Sequence, residues 1–141
     1  MVCEMKKMST KHKKRKASLW IIGTVRALKQ KSVHERKDYT LHIDIDTGKL
    51  WVSNESMTAE ELLEAEQNGY SVPDEFRIQD IEFPGQGKFS LGRSDIHFSK
   101  KGYSDMALIH AELSDGSRRS FLIEPFLPGV KLYEENISFN Q

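Results

Sequence analysis

Five histidines, the side chains best suited to acid–base or metal chemistry near neutral pH, are scattered along this 141-residue chain. They are His12, His34, His42, His97 and His110. None has a second histidine at ligand spacing, and the single cysteine, Cys3, cannot complete a zinc site. His42, His97 and His110 fall on the polar phase of predicted strands, so we expect them to be exposed. The sequence predicts no metal site and no cofactor.

Catalytic motifs are equally sparse. Asp44 and Asp46 have the spacing that opens a calcium-binding loop, but no later acidic residue completes it beyond Gly48. A tight turn over residues 46–49 explains the same residues. No serine lies in a G-x-S-x-G motif, and no nucleophile–base pair can be assigned from the sequence. We therefore expect a protein without catalytic activity.

The net charge of zero hides a strong asymmetry along the chain. Residues 1–37 contain twelve Lys and Arg against Glu4 and Glu35, which gives +10. Residues 38–141 contain the other nine Lys and Arg against nineteen Asp and Glu, which gives −10. Such a division is typical of nucleic-acid binding, of contact with an anionic surface, or of attraction between the two parts.

The most basic stretch is a possible contact for phosphates, on DNA or on lipid headgroups. Its residues are Lys11, Lys13, Lys14, Arg15 and Lys16. A solvated tail would have the same composition, and both alternatives stay open. No apolar run is long enough to cross a membrane, and residues 1–16 lack the apolar segment of a signal peptide.

The sequence predicts a helix over residues 17–37, directly after this basic stretch. At about 100° per residue, its apolar side chains share one narrow face, formed by Ala17, Ile21, Val25, Leu28 and Ser32, with Ile22 and Val33 beside it. Arg26 lies on the opposite side. Leu19 and Trp20 lie off the apolar face, so one end of the helix is apolar nearly all round. Such an end usually contacts something besides its own domain.

After residue 37 the apolar period changes from 3.6 to 2, which predicts strands. We expect about eight, the last two over residues 130–133 and 137–139. A phase slip at Asp80 indicates a β-bulge. A short helix over residues 57–68 interrupts the strands, with Thr58 and Glu61 as a capping box. The predicted fold class is α+β, a long N-terminal helix packed on an antiparallel β-sandwich.

Several stretches together resemble the soluble part of the H-type minor pseudopilins of type II secretion systems. The helix ASLWIIGTVRALKQKSVHER is followed by YTLHIDIDTGKLWV, as in that family's helix and first hairpin. Residues 96–104, IHFSKKGYS, resemble its later strand and loop, and SFLIEPFLPGV resembles its closing strands. The resemblance spans roughly residues 17–139, and it depends on the order of the pieces.

The resemblance implies assembly. Members carry a β-sandwich on a long helix, which packs with other pseudopilins in a short periplasmic filament that drives protein export. It assigns Leu19, Trp20, Ile22 and Arg26 to contacts with neighbouring helices. We expect residues 1–16 to form a basic arm, disordered, frayed or partly non-native, and residues 17–141 to form the pseudopilin-like domain, with its β-rich body over residues 39–139.

One departure concerns the membrane. Family members open with a G-F-T-L-x-E peptidase site and a transmembrane helix, and this sequence contains neither. We expect the native protein to belong to the bacterial inner membrane with this domain in the periplasm, and the chain as given to be soluble. The alternative function is DNA binding through the basic arm, because related minor pilins resemble DNA receptors.

Overall fold

Helix α1 spans Thr10–Glu35 in the computed structural model, which describes residues 9–139. Ser9 caps its first turn, because the serine side chain accepts a hydrogen bond from the backbone N–H of His12 at 3.1 Å. The helix ends where Arg36 adopts the left-handed conformation, with φ of 58°, and donates its N–H to the carbonyl of Ser32.

The helix therefore differs from the prediction at both ends. It begins at Thr10 rather than at residue 17, so residues 10–16 of the expected arm are helical. The physical reason is local, since lysine and arginine are good helix formers and Ser9 supplies the cap. It ends two residues before the predicted Lys37, where Arg36 leaves the helical conformation. Residues 1–8, with Cys3, lie outside the described residues.

The predicted apolar face of α1 is confirmed. Ala17, Ile21, Val25, Leu28 and Ser32 are all at most 2% exposed. The helix contacts strands of both sheets described next.

Nine strands follow the helix within residues 36–139, where about eight were expected. They are β1 (Tyr39–Asp44), β2 (Lys49–Asn54), β3 (Tyr70–Ser71), β4 (Phe76–Phe83), β5 (Gly87–Phe89), β6 (Arg93–Phe98), β7 (Ala107–Leu113), β8 (Arg118–Ile123) and β9 (Val130–Tyr133). Sheet A has the order β3-β2-β1-β6 and sheet B the order β5-β4-β7-β8-β9. All pairs are antiparallel. The predicted α+β class is confirmed.

The differences in strand number have simple causes. β3 and β5 are two and three residues long, too short for a period of two to register. Residues 137–139 do not form the predicted strand, because their backbone groups bond to side chains of Ser120, His110 and Glu82 instead of to a neighbouring strand.

Two predicted local features are confirmed. Helix α2 (Ala59–Gln67) begins with the capping box of Thr58 and Glu61, and it packs on β2. The bulge lies in β4, where the pairing with β7 shifts between Ile78 and Asp80. Because of the extra residue, Gln79, Asp80 is directly opposite His110 and Ile81 still faces the core.

A half-buried lysine links α1 to the β-rich body. The Lys29 ammonium donates hydrogen bonds to the carbonyl of Glu124 at 2.5 Å and to the hydroxyl of Ser104 at 3.1 Å. Burial lowers the pKa of Lys29, and the nearby Glu124 carboxylate opposes that shift. The lysine therefore ties the second half of the helix to two loops of the body.

No helix within residues 9–139 is both long enough and apolar enough to cross a membrane.

Replacement of one side chain in the helix–sheet contact should destabilise the whole domain. Ile21 is fully buried, so Ile21→Ala should lower the free energy of unfolding by about 2–5 kcal/mol through lost burial and the remaining cavity. Arg26→Ala, on the exposed side of the same helix, should change it by at most about 0.5 kcal/mol. Urea denaturation measures both. Equal effects would mean that the helix does not depend on this contact.

Candidate assembly surface

An open groove lies between the first half of α1 and strands β7 to β9. Its volume is about 580 Å³. Apolar side chains in it come from helix and sheet alike: Leu19, Ile22, Leu113 and Leu132. Charged side chains line it too, namely Lys11, Lys14, Arg15, Asp115, Arg119 and Glu134. We refer to these residues as the helix groove.

The apolar part of the helix groove is open to solvent. Leu19 is 55% exposed and Leu132 is 39% exposed, whereas Ile22 is half-buried against the core. Large apolar side chains grouped on a surface commonly mark contacts with a partner. The groove therefore offers an apolar contact surface with charged groups around it.

The basic residues in the first turns of α1 differ in whether an acidic side chain of the β-rich body forms an ion pair with them. Lys13 pairs with Glu75 at 3.7 Å, and Lys14 pairs with Asp115 at 3.5 Å. Lys11, Arg15 and Lys16 have no ion-pair partner within residues 9–139.

Asp115 also has its own local partner. The hydroxyl and backbone N–H of Ser117 donate to its carboxylate, and with Lys14 nearby they lower the pKa of Asp115 to about 2. This carboxylate therefore stays charged under ordinary conditions. Part of the positive charge on α1 is matched inside the chain.

Leu19 and Trp20, which were both predicted to contact neighbouring helices, lie in different environments. Trp20 packs within the chain, because its ring stacks on Tyr70 with a centroid distance of 4.7 Å and an angle of 11°. Burial raises the pKa of Tyr70. Leu19, about 100° away around the helix, faces the groove instead.

Ile22 and Arg26, which were also assigned to partner contacts, lie on the Leu19 side of the helix, together with Arg15 from the basic stretch. At about 100° per residue, Arg15, Ile22 and Arg26 fall within about 60° of Leu19 on the helix surface. Arg15 and Arg26 are exposed. A continuous surface strip therefore runs along α1, with Leu19 near its centre.

Sequence reasoning did not identify the sheet side of this groove. Leu113, Arg119 and Leu132 lie about 100 residues from the helix, and only the fold brings them to it. The sequence signal is the apolar Leu132 between Lys131 and Tyr133, and the structure shows that none of the four residues of β9 is buried.

The structure also assembles a serine, a histidine and an aspartate on the outer face of sheet A. His42 Nε2 is 2.7 Å from the Ser53 hydroxyl, and His42 Nδ1 is 2.8 Å from Asp95. The order matches a catalytic triad. Ser53, however, is only 6% exposed and lies within the β1–β2 ladder. A substrate carbonyl cannot approach such a hydroxyl, so these bonds serve to join three strands.

The expectation of exposed histidines is correct for one of three. His97 is exposed beside Asp105. His42 is half-buried by Trp51 and its hydrogen-bond partners. His110 is 1% exposed, because residues 134–139 cross the outer face of sheet B above it. Within residues 9–139 no group of acidic, histidine or cysteine side chains could hold a metal ion.

Comparison with solved structures identifies the fold. Two structures of the minor pseudopilin EpsH from the type II secretion system of Vibrio cholerae match at TM-scores of 0.58 and 0.59. The first is 12% identical, with 86% of this chain and 97% of EpsH covered. The second is 14% identical, with 92% and 99% covered. The resemblance predicted from the sequence is therefore confirmed at the level of the fold.

No protein-family model matches the sequence. Comparison with curated proteins gave no match either.

Leu19 and Trp20 should respond differently to truncation. Trp20→Ala removes the stacked contact with Tyr70 and should lower the free energy of unfolding by about 2 kcal/mol. Leu19→Ala should change it by at most about 0.5 kcal/mol, since most of the side chain is already in water. Thermal or urea unfolding compares the two. A Leu19 effect as large as that of Trp20 would contradict the assignment of Leu19 to a free surface.

Proposed function

We propose that this chain is a structural subunit, a minor pseudopilin of a type II secretion or type IV pilus-like machine. It assembles with other pseudopilins through the exposed side of α1. The observation that supports this most directly is that one side of α1 is buried in the domain while another side is exposed to solvent. Its buried residues hold a domain with the EpsH fold, while Leu19 remains in water beside Arg15 and Arg26.

The chemistry of the helix groove favours a helical partner. An incoming helix presents apolar side chains at intervals of three and four residues, which suits the spacing of Leu19, Ile22 and Arg26. The groove would bury Leu19 and Leu132 against it, and the unpaired Lys11 and Arg15 would favour acidic residues beside the contact. The partners proposed are therefore other pseudopilins with acidic residues near their apolar helix face.

The proposed role is not catalytic. The Ser53–His42–Asp95 set lacks an accessible hydroxyl, and the helix groove is lined by leucines and solvent-exposed charges. In the proposed setting the domain stands in the periplasm, and a membrane segment preceding α1 in the native protein would hold it at the inner membrane. The reading frame upstream of this sequence would reveal such a segment.

A charge placed at Leu19 should disrupt assembly without unfolding the domain. Leu19→Asp should weaken capture of the partner pseudopilins at least tenfold, about 1.4 kcal/mol, because it puts a carboxylate into the apolar part of the contact. Binding of the purified pseudopilins of the same machine to immobilised variants measures this.

Leu91→Asp provides the matched control. Leu91 is 81% exposed and follows β5, at the opposite edge of sheet B from β9. It should bind as the unaltered chain does. If Leu19→Asp retains full binding, the helix groove is not the assembly surface.

Nucleic-acid binding is the competing hypothesis, and the same surface tests it. We expect weak binding to duplex DNA, because Lys13 and Lys14 are paired with acidic residues of the body. Titration against salt should be run with the chain and with a Lys11→Ala, Arg15→Ala, Lys16→Ala variant. Tight binding with a steep salt slope that the variant loses would favour a DNA-binding protein instead.

A further inference from the structure

Residues 134–139 form a strap across the outer face of sheet B. Side chains of three neighbouring strands bind its backbone and the hydroxyl of Ser138. The Ser120 hydroxyl donates to the carbonyl of Glu135 at 2.7 Å and accepts from the N–H of Ile137 at 3.0 Å. Glu82 Oε2 accepts from the hydroxyl of Ser138 at 2.8 Å. The strap is attached through side chains of β4, β7 and β8, with no strand ladder of its own.

His110 makes the remaining attachment, and its hydrogen bonds constrain its protonation. Its ring is 2.5 Å from Asp80 Oδ1 through Nδ1 and 2.6 Å from the carbonyl oxygen of Ile137 through Nε2. A carboxylate and a carbonyl both accept hydrogen bonds. Neutral imidazole has only one N–H, so it can satisfy one of them. The imidazolium ion has two and satisfies both.

His42 shows the contrasting case in the same molecule. Its ring also lies between two oxygens, those of Asp95 and Ser53. The Ser53 hydroxyl can donate its proton to Nε2, so neutral imidazole completes both bonds. The carbonyl of Ile137 has no proton to donate. The requirement for a second proton is therefore specific to His110.

The charges around His110 also favour the doubly protonated ring. Burial lowers the pKa of His110, but the hydrogen bonds to Asp80 and Ile137 and the charge of Asp80 outweigh it, so the pKa is raised. Glu82 adds a second buried carboxylate, with Oε1 at 3.9 Å from Nε2 and without a hydrogen-bond partner among the described residues. Lys88 of β5, opposite Glu82, opposes them from an exposed position.

The other titratable groups on this face come from four strands. By strand alternation they are Arg77 of β4, Glu112 of β7, Arg118 of β8, and Lys131 and Tyr133 of β9. Glu112 lies between Arg77 and Arg118, which are exposed at the far end of the face from the histidine that holds the strap. Glu134 and Glu135 of the strap are exposed.

We propose that the strap is a pH-dependent closure, held in place while His110 carries both ring protons and released when it loses one. Deprotonation leaves either the carbonyl of Ile137 or the carboxylate of Asp80 facing a ring nitrogen that also accepts. The buried pair then loses a hydrogen bond and gains repulsion, which favours opening of residues 134–139. Opening uncovers the outer face of sheet B around Leu108, now 1% exposed.

The sign of the pH dependence follows from the raised pKa. The stabilisation is fully present below the unfolded value, about 6.5, and is lost as the pH rises through the folded value. Between these two pKa values opening releases a single proton, so the opening equilibrium rises by at most about tenfold per pH unit, and above the folded pKa it levels off. The strap is thus closed in mildly acidic solution and loosens in alkaline solution.

Amide hydrogen exchange of Ile137 tests the proposal, because its N–H donates to Ser120 only while the strap is closed. Exchange should be followed by NMR between pH 5.5 and 9, with correction for the intrinsic rate. Protection of Ile137 should fall as the pH rises from about 6.5 to the folded pKa of His110, by up to about tenfold per unit, and should level off above it. Protection that does not change with pH would overturn the proposal.

Asp80→Asn supplies a sharp second variant. An asparagine amide can donate to Nδ1 of neutral imidazole, which leaves Nε2–H for the carbonyl of Ile137. Protection of Ile137 in this variant should therefore be nearly independent of pH. His97→Gln alters an exposed histidine beside Asp105 and should leave the pH profile of the unaltered chain in place.

The imidazole nitrogen shifts of His110 provide a direct measurement that does not depend on any variant. Below the folded pKa both ring nitrogens should carry protons, and the loss of one should occur at the pH where the fall in Ile137 protection levels off. A neutral ring together with a fully protected strap would also overturn the proposal.

Discussion

Helix α1 contributes to a core that both sheets share. Ile21, Val25 and Leu28 are buried among side chains from sheet A and sheet B, and the helix contacts strands of each. Burial of such side chains contributes about 1.5–3 kcal/mol each before the cost of ordering them. The same contact fixes the rotation of the helix about its axis. Leu19 faces the groove, and Trp20 faces Tyr70, because the buried residues leave no other orientation.

Much of the architecture follows from patterns that one stretch of sequence contains. The buried face of α1, the capping box of α2 and the bulge before Asp80 were all predictable, because each depends on spacing within a few residues. The resemblance to pseudopilins was also visible in the order of such pieces. The start of α1 was not predicted, because lysines occur both in helices and in solvated arms. The helix begins at Thr10 because Ser9 caps it.

The features that sequence reasoning missed depend on distant contacts. His110 occupies the polar phase of β7, which usually means exposure, but a segment 27 residues later covers it. Leu132 and Arg119 join the helix groove only because β8 and β9 lie beside the helix. The prediction of a final strand failed for the same reason, since side chains of Ser120 and Glu82 take the place of a neighbouring backbone.

The bulge in β4 connects two properties that are usually separate. Its extra residue, Gln79, keeps Ile81 in the core and sets Asp80 opposite His110. In a regular ladder without the bulge, Gln79 would lie opposite His110, and every later side chain of β4 would lie on the other face of the sheet. Packing and proton affinity are thus determined by the same backbone irregularity. Loss of the bulge would therefore change the packing of Ile81 and the partner of His110 together.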